Sequence, residues 1–346
     1  MPTVEALDLG DLVATTLKDL GRFKVEQIAQ TYQRYEVFPK WFKKDKMVIG
    51  SGHAIQRNLM NKHSSAARHV GLMDVDNVNI ADVITQLTVP WRQCQTSWAI
   101  IYQETLMNRS PAKILDLIKV RRTDAMLSLI EELENTAWAA PSAATDETQP
   151  YGIPYWVVKA TAATPSFQSG SAFSDGVVAG VNLTTTPNYK NWAGQYVSKT
   201  KADLVKKMRD MHWYTGFVSP VTMADYRGSM GDQYRVYCNR STTSAFEEIG
   251  ESQNENLGRD IASIDGFSLA FRGNPIRTIA KLEADTSDPV YFIDHSTFYP
   301  TCLEGDSFRE SKKEAPHQHN IVQMFVDLSY NYVCVDRRRN GVLHVA

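Results

Sequence analysis

The chain has 346 residues, of which 43% are hydrophobic and 22% are charged, and its formal net charge is −2 at pH 7. These values are typical of a folded globular protein of about two domains. A nearly neutral chain has no global field that draws it onto DNA or an anionic membrane, so any nucleic-acid contact must be local and weak. No apolar run approaches about 18 residues, and Met1 to Lys18 lacks the order of a signal peptide. We therefore expect a soluble chain that does not enter a membrane or follow a classical secretory route.

The cysteines are widely separated in the sequence and form no Cys-x-x-Cys pair. They are Cys94, Cys238, Cys302 and Cys334. This pattern favours reduced thiols over a disulfide framework or a zinc site.

The first forty residues contain two short amphipathic segments. Leu9 to Leu20 carries apolar residues at helical spacing, and Ile28, Tyr32 and Tyr35 continue such a spacing in the second segment. Two interpretations remain open. The segments form either an arm that docks on something else or a small helical cap on the same subunit.

Residues 41–108 are predicted to form a long β-ribbon. Two strand-like stretches, Met47 to Met60 and Val78 to Trp98, flank a polar segment of small residues. Gly50-Ser51-Gly52 is predicted to be a bend or bulge within the ribbon. Because a two-stranded ribbon with few large apolar groups is marginal in water, we expect it to lie on a neighbouring molecule.

Residues Ser110 to Ala140 are predicted to form one long helix. Ser110 is a good N-cap, Pro111 suits the first helical position, and Pro141 ends the segment. The predicted buried stripe consists of Leu115, Ile118, Met126, Leu129, Leu133 and Ala137. Lysines and arginines fill the N-terminal half and glutamates the C-terminal end, which opposes the helix dipole. Our hypothesis is that neighbouring subunits set this charge polarity. The alternative is a solvated helix face that tolerates the charges.

Residues from Gly216 to about Asp294 are predicted to form a separate compact domain of alternating strands and short helices, and a further helix precedes this domain. A helix is expected over Lys199 to Tyr214, with Leu204, Met208 and Met211 on one face. The candidate strands that follow it are Tyr234 to Cys238, Phe267 to Phe271, Pro275 to Ala280 and Val290 to Ile293.

Ile321 to Val335 is predicted to form one long strand with a core face and a face that is either wet or shared, because apolar residues alternate with polar ones. Asn340-Gly341 favours a tight hairpin turn that folds Val342 to Val345 back as a last strand. We predict that Arg337 to Arg339 form a solvated turn rather than a nucleic-acid footprint. The long helix and this strand each span about 45 to 50 Å, which indicates an extended tile within a larger assembly.

The motif search gives no catalytic or cofactor site. The sequence lacks the glycine-rich phosphate loops, the nucleophile elbow and the His-Glu-x-x-His zinc motif. His317 and His319 have no cysteine or carboxylate at a supporting spacing that would complete a metal site. Asp74, Asp76 and Asn77 resemble the start of a calcium-binding loop, but the residues that follow do not continue the pattern. Asp294-His295 is predicted to be a strand end followed by a turn. His53, His63 and His69 are expected to be solvated or to lie in an interface, so we predict no metal site.

The order of parts resembles the major capsid proteins of tailed bacteriophages with the HK97 fold. The sequence segments that carry the resemblance are Val89 to Arg92, Ser97-Trp98, Tyr151 to Pro154, Asn254 to Asp260, Phe271 to Pro275 and Asp336 to Leu343. It covers nearly the whole chain, and it depends on the order and proportions of the parts rather than on one diagnostic motif.

The resemblance implies an α+β, HK97-like capsid fold. Its parts would be an N-terminal arm (1–40), an extended loop (41–108), a peripheral domain (109–215 with the spine helix 110–140, and 319–346) and an axial domain (216–318). The chain would assemble with itself into hexamers and pentamers of an icosahedral head that encloses double-stranded DNA. The location would be the virion, with assembly in the host cytoplasm.

The resemblance also implies a portal protein as a partner, and the short segment before the ribbon implies a separate scaffolding protein. From the nearly neutral charge we predict that an inner wall would hold DNA weakly and in a salt-dependent way, through scattered arginines alone; burial of Arg337 to Arg339 in salt bridges would contradict this. Lys46 and Lys62 lie in the ribbon, but the sequence identifies no crosslinking partner for them. Two alternatives remain open. One is an encapsulin-like nanocompartment shell, and the other is a soluble α+β enzyme with a site around Asp294, His295 and Cys302.

Overall fold

The computed structural model describes residues 31–32, 34–42, 48–62, 67–71, 82–107, 111–168, 170–173, 175–217, 234–252, 269–311 and 320–346. The chain divides into two compact units. The first contains residues 1–33, 94–132 and 306–328, and the second contains residues 34–93, 133–305 and 329–346.

The helices of the described residues are α1 (Val37–Trp41), α2 (Tyr102–Met107), α3 (Pro111–Ala137), α4 (Ile153–Trp156), α5 (Lys206–Thr215) and α6 (Arg240–Ser252). A π-helical turn (Lys201–Val205) precedes α5, and 3₁₀ turns cover Ala280–Ala284 and Arg337–Arg339.

The strands are β1 (Val48–Gly50), β2 (Ala54–Met60), β3 (Ile84–Pro90), β4 (Arg92–Ile101), β5 (Ser166–Gln168), β6 (Val177–Val178), β7 (Val181–Asn182), β8 (Asn191–Tyr196), β9 (Tyr234–Cys238), β10 (Ala270–Phe271), β11 (Asn274–Thr278), β12 (Val290–Asp294), β13 (Phe298–Leu303), β14 (Arg309–Glu310), β15 (Ile321–Cys334) and β16 (Gly341–Val345). One sheet has the order β1-β13-β15-β14, with β4 also on β15, and a larger one has the order β10-β11-β9-β12-β16-β8-β5.

The predicted long helix is confirmed as α3, which has 27 residues and a length of about 40 Å. Leu129, Leu133 and Ala137 of the predicted stripe are buried. The proposed N-cap Ser110 and the side chain of Leu115 lie outside the described residues. The helix ends before Pro141, where the chain at Gly152 comes close to it. A Cβ on Gly152 would lie 2.6 Å from the carbonyl oxygen of Thr136, so only glycine fits there.

The larger sheet contains the predicted strands of the compact domain, and α5 and α6 cover one of its faces. The strands predicted from Tyr234, Pro275 and Val290 are confirmed as β9, β11 and β12, and the helix predicted over Lys199 to Tyr214 is confirmed as the π-helical turn and α5. The core between helices and sheet contains Leu204, Met208, Met211, Phe246, Tyr234, Val236, Ile276, Val290, Phe292 and Leu343.

The long strand is confirmed as β15, and of the two alternatives for its second face, wet or shared, the wet one is wrong for the second half. Every residue from Leu328 to Cys334 is buried. The reason is visible at Asn331, whose side chain accepts a hydrogen bond from the Tyr151 amide (2.8 Å) and donates one to the Pro90 carbonyl (2.8 Å). Backbone from distant segments therefore covers the polar face.

The predicted C-terminal hairpin is also wrong. The last strand exists as β16, but it pairs antiparallel with β12 and parallel with β8 instead of folding back on β15. The 3₁₀ turn Arg337–Arg339 redirects the chain. Gly341 packs closely against α5, because a Cβ there would overlap the sulfur of Met211 and lie 3.3 Å from the Thr215 methyl group.

Candidate interaction surfaces and buried polar clusters

The ribbon is a hairpin of β2 and β3, whose antiparallel register runs from Ala54 opposite Pro90 to Met60 opposite Ile84. The predicted bend at residues 50–52 is confirmed. It lies between β1 and β2, with Gly52 at φ +104°. The indole of Trp91 donates a hydrogen bond to the Gly52 carbonyl (2.9 Å).

The inner face of the ribbon is apolar and covered by its own chain. It consists of the buried residues Ile55, Leu59, Leu87 and Val89. The Thr88 amide donates to the Ala179 carbonyl (2.9 Å), and the Ala179 amide donates to the Tyr155 hydroxyl (2.9 Å). Our expectation that the ribbon needs a neighbouring molecule is therefore wrong for this face.

The outer face of the ribbon has a different character. Its side chains are all exposed and uncharged: Gln56, Asn58, Met60, Ile84, Gln86 and Thr88. Met60 is 52% exposed and Ile84 is 60% exposed. Among the described residues β2 pairs with β3 alone, so the other edge of β2 has no strand paired with it there. Proteins usually protect such an edge with charge or cover, so this surface is a candidate contact site.

The first compact unit has little core among its described residues. Its buried side chains there are Ala125, Leu129, Val326 and Leu328. Tyr102 is 59% exposed and Leu106 is 47% exposed. The described part of this unit gains little from its own packing, so its exposed apolar residues are further candidates for intermolecular contact.

The reversed charge polarity of α3 finds partners within the chain. Arg121 forms an ion pair with Glu104 (2.7 Å), and Arg122 forms one with Glu310. At the other end Glu134 is buried. These partners lie within the chain, and the hypothesis that neighbouring subunits set the polarity stays a prediction.

Glu134 anchors the segment that precedes the ribbon. One carboxylate oxygen accepts hydrogen bonds from the amides of Val37 (2.8 Å) and Glu36 (3.1 Å), and the other accepts one from the Trp138 indole (3.3 Å). Burial raises the pKa of Glu134. Glu36 in turn forms a buried ion pair with Arg235 (2.7 Å). In the sequence, Glu134 directly follows Leu133, a residue of the predicted buried stripe. This position was the sequence signal from which the burial of Glu134 could have been predicted.

Trp41 completes this anchor. Its side chain is fully buried, its ring packs against Trp138, Phe298 and Tyr332, and its indole donates to the Tyr237 hydroxyl (3.2 Å). For residues 34–42, the structure favours a cap on the same subunit over an arm that docks elsewhere. The segment from Leu9 to Ile28 lies outside the described residues.

Arg337 lies in the protein interior, so the predicted solvated turn is wrong. Its guanidinium donates to the carbonyls of Trp156 (2.6 Å), Gly170 (2.8 Å) and Tyr189 (3.2 Å) and to the Asn191 side chain (2.9 Å). Burial lowers the pKa of Arg337. A guanidinium with these hydrogen bonds cannot reach a phosphate.

The other two arginines of the turn are also held by the chain. Arg339 forms a buried ion pair with Asp294 (2.9 Å), and burial raises the pKa of Asp294. Arg338 forms an ion pair with Asp336 (2.9 Å) and lies over the Phe217 ring (4.1 Å). The prediction that an inner wall holds DNA through scattered arginines is therefore wrong.

The residues of the enzyme alternative have structural roles. Asp294 ends β12 and a turn follows it, as predicted. His295 hydrogen-bonds the Tyr237 hydroxyl (2.7 Å), and Cys302 lies within β13 between paired residues of β1 and β15. Asp294 and Cys302 are 0% exposed and His295 is 5% exposed, so a substrate has no access to them.

The remaining candidate residues form no site in the described ranges. His53, His69 and Lys62 are exposed, whereas Lys46, His63, Asp74, Asp76, Asn77, His317 and His319 lie outside those ranges. The described residues contain no cluster of three or more metal-ligating side chains. No helix within them is both long and apolar enough to cross a membrane. All four cysteines are free thiols.

Two features escaped the sequence analysis. One is the Glu36–Glu134–Arg235 cluster, and the other is Trp213, which is 74% exposed. The core positions Leu204, Met208 and Met211 place Trp213 on the opposite side of α5, and this spacing was a usable signal.

Comparison with known proteins gives structural matches alone, since no family model and no curated protein matches the sequence. The structure is similar to the cyanophage A-1(L) capsid asymmetric unit at 11% identity and a TM-score of 0.57, covering 94% of this chain and 96% of that one. It is similar to Microbacterium phage Oxtober96 at 10% identity and a TM-score of 0.54, covering 99% of both chains. The capsid of a native GTA particle matches at 12% identity and a TM-score of 0.52, with 94% and 95% covered. The chain therefore has the α+β, HK97-like fold of phage major capsid proteins.

Proposed function

We propose that this chain is a major capsid protein of a tailed phage. It assembles with copies of itself into the hexamers and pentamers of an icosahedral head around double-stranded DNA, and it performs no catalysis. The observation that carries the proposal is the capsid fold over at least 94% of the chain.

The candidate interaction surfaces support this role. The ribbon presents an uncharged outer face with an open edge, and the first unit leaves large apolar side chains such as Tyr102 in solvent. Burying apolar surface contributes about 25 cal/mol per Å². Contact with neighbouring copies would supply the burial that the isolated unit lacks.

Within this proposal the segments keep the roles that the resemblance implies. Residues 1–40 form the arm, of which residues 34–40 are held on the same subunit, and residues 41–108 form the extended loop. Residues 109–215 and 319–346 form the peripheral domain, and residues 216–318 form the axial domain. The larger sheet contains the strands β9, β10, β11 and β12 of the axial segment. It also contains β8, which precedes this segment in the sequence, and β16, which follows it.

A separate scaffolding protein and a portal protein are the proposed partners, and the virion assembled in the host cytoplasm is the proposed location. Because the net charge is −2, the shell would hold DNA weakly and without sequence preference.

Electron microscopy of the purified chain, alone and with a co-expressed scaffolding protein, tests the proposal. We expect rings or closed shells, and particles from infected cells should contain nuclease-protected DNA. A chain that stays monomeric under every assembly condition would contradict it. Shells that hold protein cargo in place of DNA would indicate a nanocompartment.

A further inference from the structure

The two helices on the larger sheet form one outer layer. Met208 and Met211 of α5 and Phe246 of α6 enter the same core on one face of the sheet. Lys199, just before the π-helical turn, donates a hydrogen bond to Ser241 at the start of α6 (2.7 Å). The outer sides of both helices therefore face away from the sheet next to each other.

The charges on this layer are segregated by helix. On residues 201–215 the exposed charged side chains are Lys201, Lys206, Arg209 and Asp210, so three basic groups stand against one acidic group. Among the described side chains of α6 and of residues 280–284 they are Arg240, Glu247, Glu248 and Glu283, so three acidic groups stand against one basic group. We call these two sets the basic helix surface and the acidic helix surface.

Trp213 adds an apolar anchor to the basic helix surface. It follows Lys206 by seven residues and Arg209 by four, so the three side chains share one side of α5. It packs against Tyr214 (5.1 Å between ring centroids), which stacks on Trp192 (4.3 Å). An exposed tryptophan on a rigid aromatic base is the type of residue that dominates protein–protein contacts.

We propose that the basic helix surface with Trp213 binds the acidic helix surface of a neighbouring copy of this chain. Each copy carries both halves of the contact, with opposite charge excesses among the described side chains, so identical chains are complementary to each other. A nucleic acid would fit the basic surface but would be repelled by the acidic surface beside it. The inference rests on the proposed function, since that function brings copies of one chain together.

Charge reversal tests this contact without touching the core. One variant carries Lys206→Glu and Arg209→Glu, and a second carries Glu247→Lys and Glu248→Lys. Each then presents two like-charged surfaces to its neighbours, and we expect the yield of assembled particles to fall roughly tenfold or more in low salt. A chain with all four changes regains complementary surfaces and should assemble at close to the wild-type yield. Yields are measured by sedimentation and electron microscopy.

The matched control carries Glu147→Lys and Glu304→Lys, two exposed sites outside both helix surfaces. It makes the same change in net charge as the second variant and should assemble normally. Circular dichroism confirms that every variant is folded. If the wild type forms shells and both surface variants assemble like the control, or if the folded fourfold variant fails to assemble, this contact is wrong while the proposed function stands. A wild type that never assembles overturns both.

Discussion

Charged and polar side chains near the C-terminus bind groups from distant segments of the chain in the protein interior. Arg337 binds three backbone carbonyls, Arg339 pairs with Asp294, and the Asn340 side chain donates to the Asp336 carbonyl (3.0 Å). Buried charge is costly without partners, and here each named group has them. The run of arginines is therefore part of the core and not of the surface.

Arg339→Ala should destabilise the unassembled chain by about 3–5 kcal/mol, because it leaves the buried carboxylate of Asp294 without its cation. Urea denaturation followed by fluorescence gives this free energy of unfolding. Arg338→Ala is the control, since the side chain of Arg338 is 34% exposed and its ion pair is worth about 1 kcal/mol at most. Equal losses in the two variants would contradict the assignment of a buried pair.

Glu134 should make stability depend on pH. Burial raises its pKa above 4.5 in the folded state, so the native chain holds this proton more tightly than the unfolded one. The resulting stabilisation is complete below about pH 4.5 and is lost as pH rises through the raised pKa. Glu134→Gln removes this dependence. The unfolding free energy of the wild type, minus that of the variant, should therefore be larger at pH 5 than at pH 8.

Glu147→Gln serves as the control for Glu134, because Glu147 is exposed. A pH-dependent difference of the same size in Glu147→Gln would show that the effect does not come from the burial of Glu134. A constant difference for Glu134→Gln would show that the carboxyl group titrates as it would in water.

At the scale of elements, local signals predicted where helices and strands occur, but not what covers them. The length of α3 follows from its apolar spacing, and the length of β15 follows from alternation. Neither pattern predicts that Asn331 is buried and hydrogen-bonded to the distant backbone at Tyr151 and Pro90. The ribbon shows the same limit, since its hairpin was predictable but its cover at Ala179 was not.

The outer face of the ribbon should matter for assembly and not for folding. Met60→Lys with Ile84→Lys changes a pair that is 52% and 60% exposed, so we expect the free energy of unfolding to change by about 0.5 kcal/mol or less per site. The particle yield should fall severalfold, because two charges would enter a neutral contact.

Leu87→Lys is the comparison variant for the ribbon, because Leu87 is fully buried on the inner face and the lysine should prevent folding of this region. Sedimentation and thermal melting separate the two effects. Normal assembly of the variant with Met60→Lys and Ile84→Lys would show that the outer face of the ribbon is not a contact surface.

At the scale of the whole molecule, burial is distributed unevenly. The second unit contains the core of the larger sheet, whereas the described part of the first buries few side chains and exposes large apolar ones. Such a distribution is expected of a chain that completes its burial in an assembly, and the appearance of particles in the microscope is its direct test.

The sequence by itself determined the long helix, the long strand, the ribbon hairpin and the order of parts that resembles the capsid family. These features depend on periodicity, turn residues and proline positions, which act over a few neighbouring residues. Only the tertiary structure decided that Arg337 and Arg339 are buried, that β16 joins β8 and β12, and that Glu134 anchors the residues before the ribbon. Burial of a charged side chain requires partners that are remote in the sequence, and no local pattern specifies which remote groups will meet it.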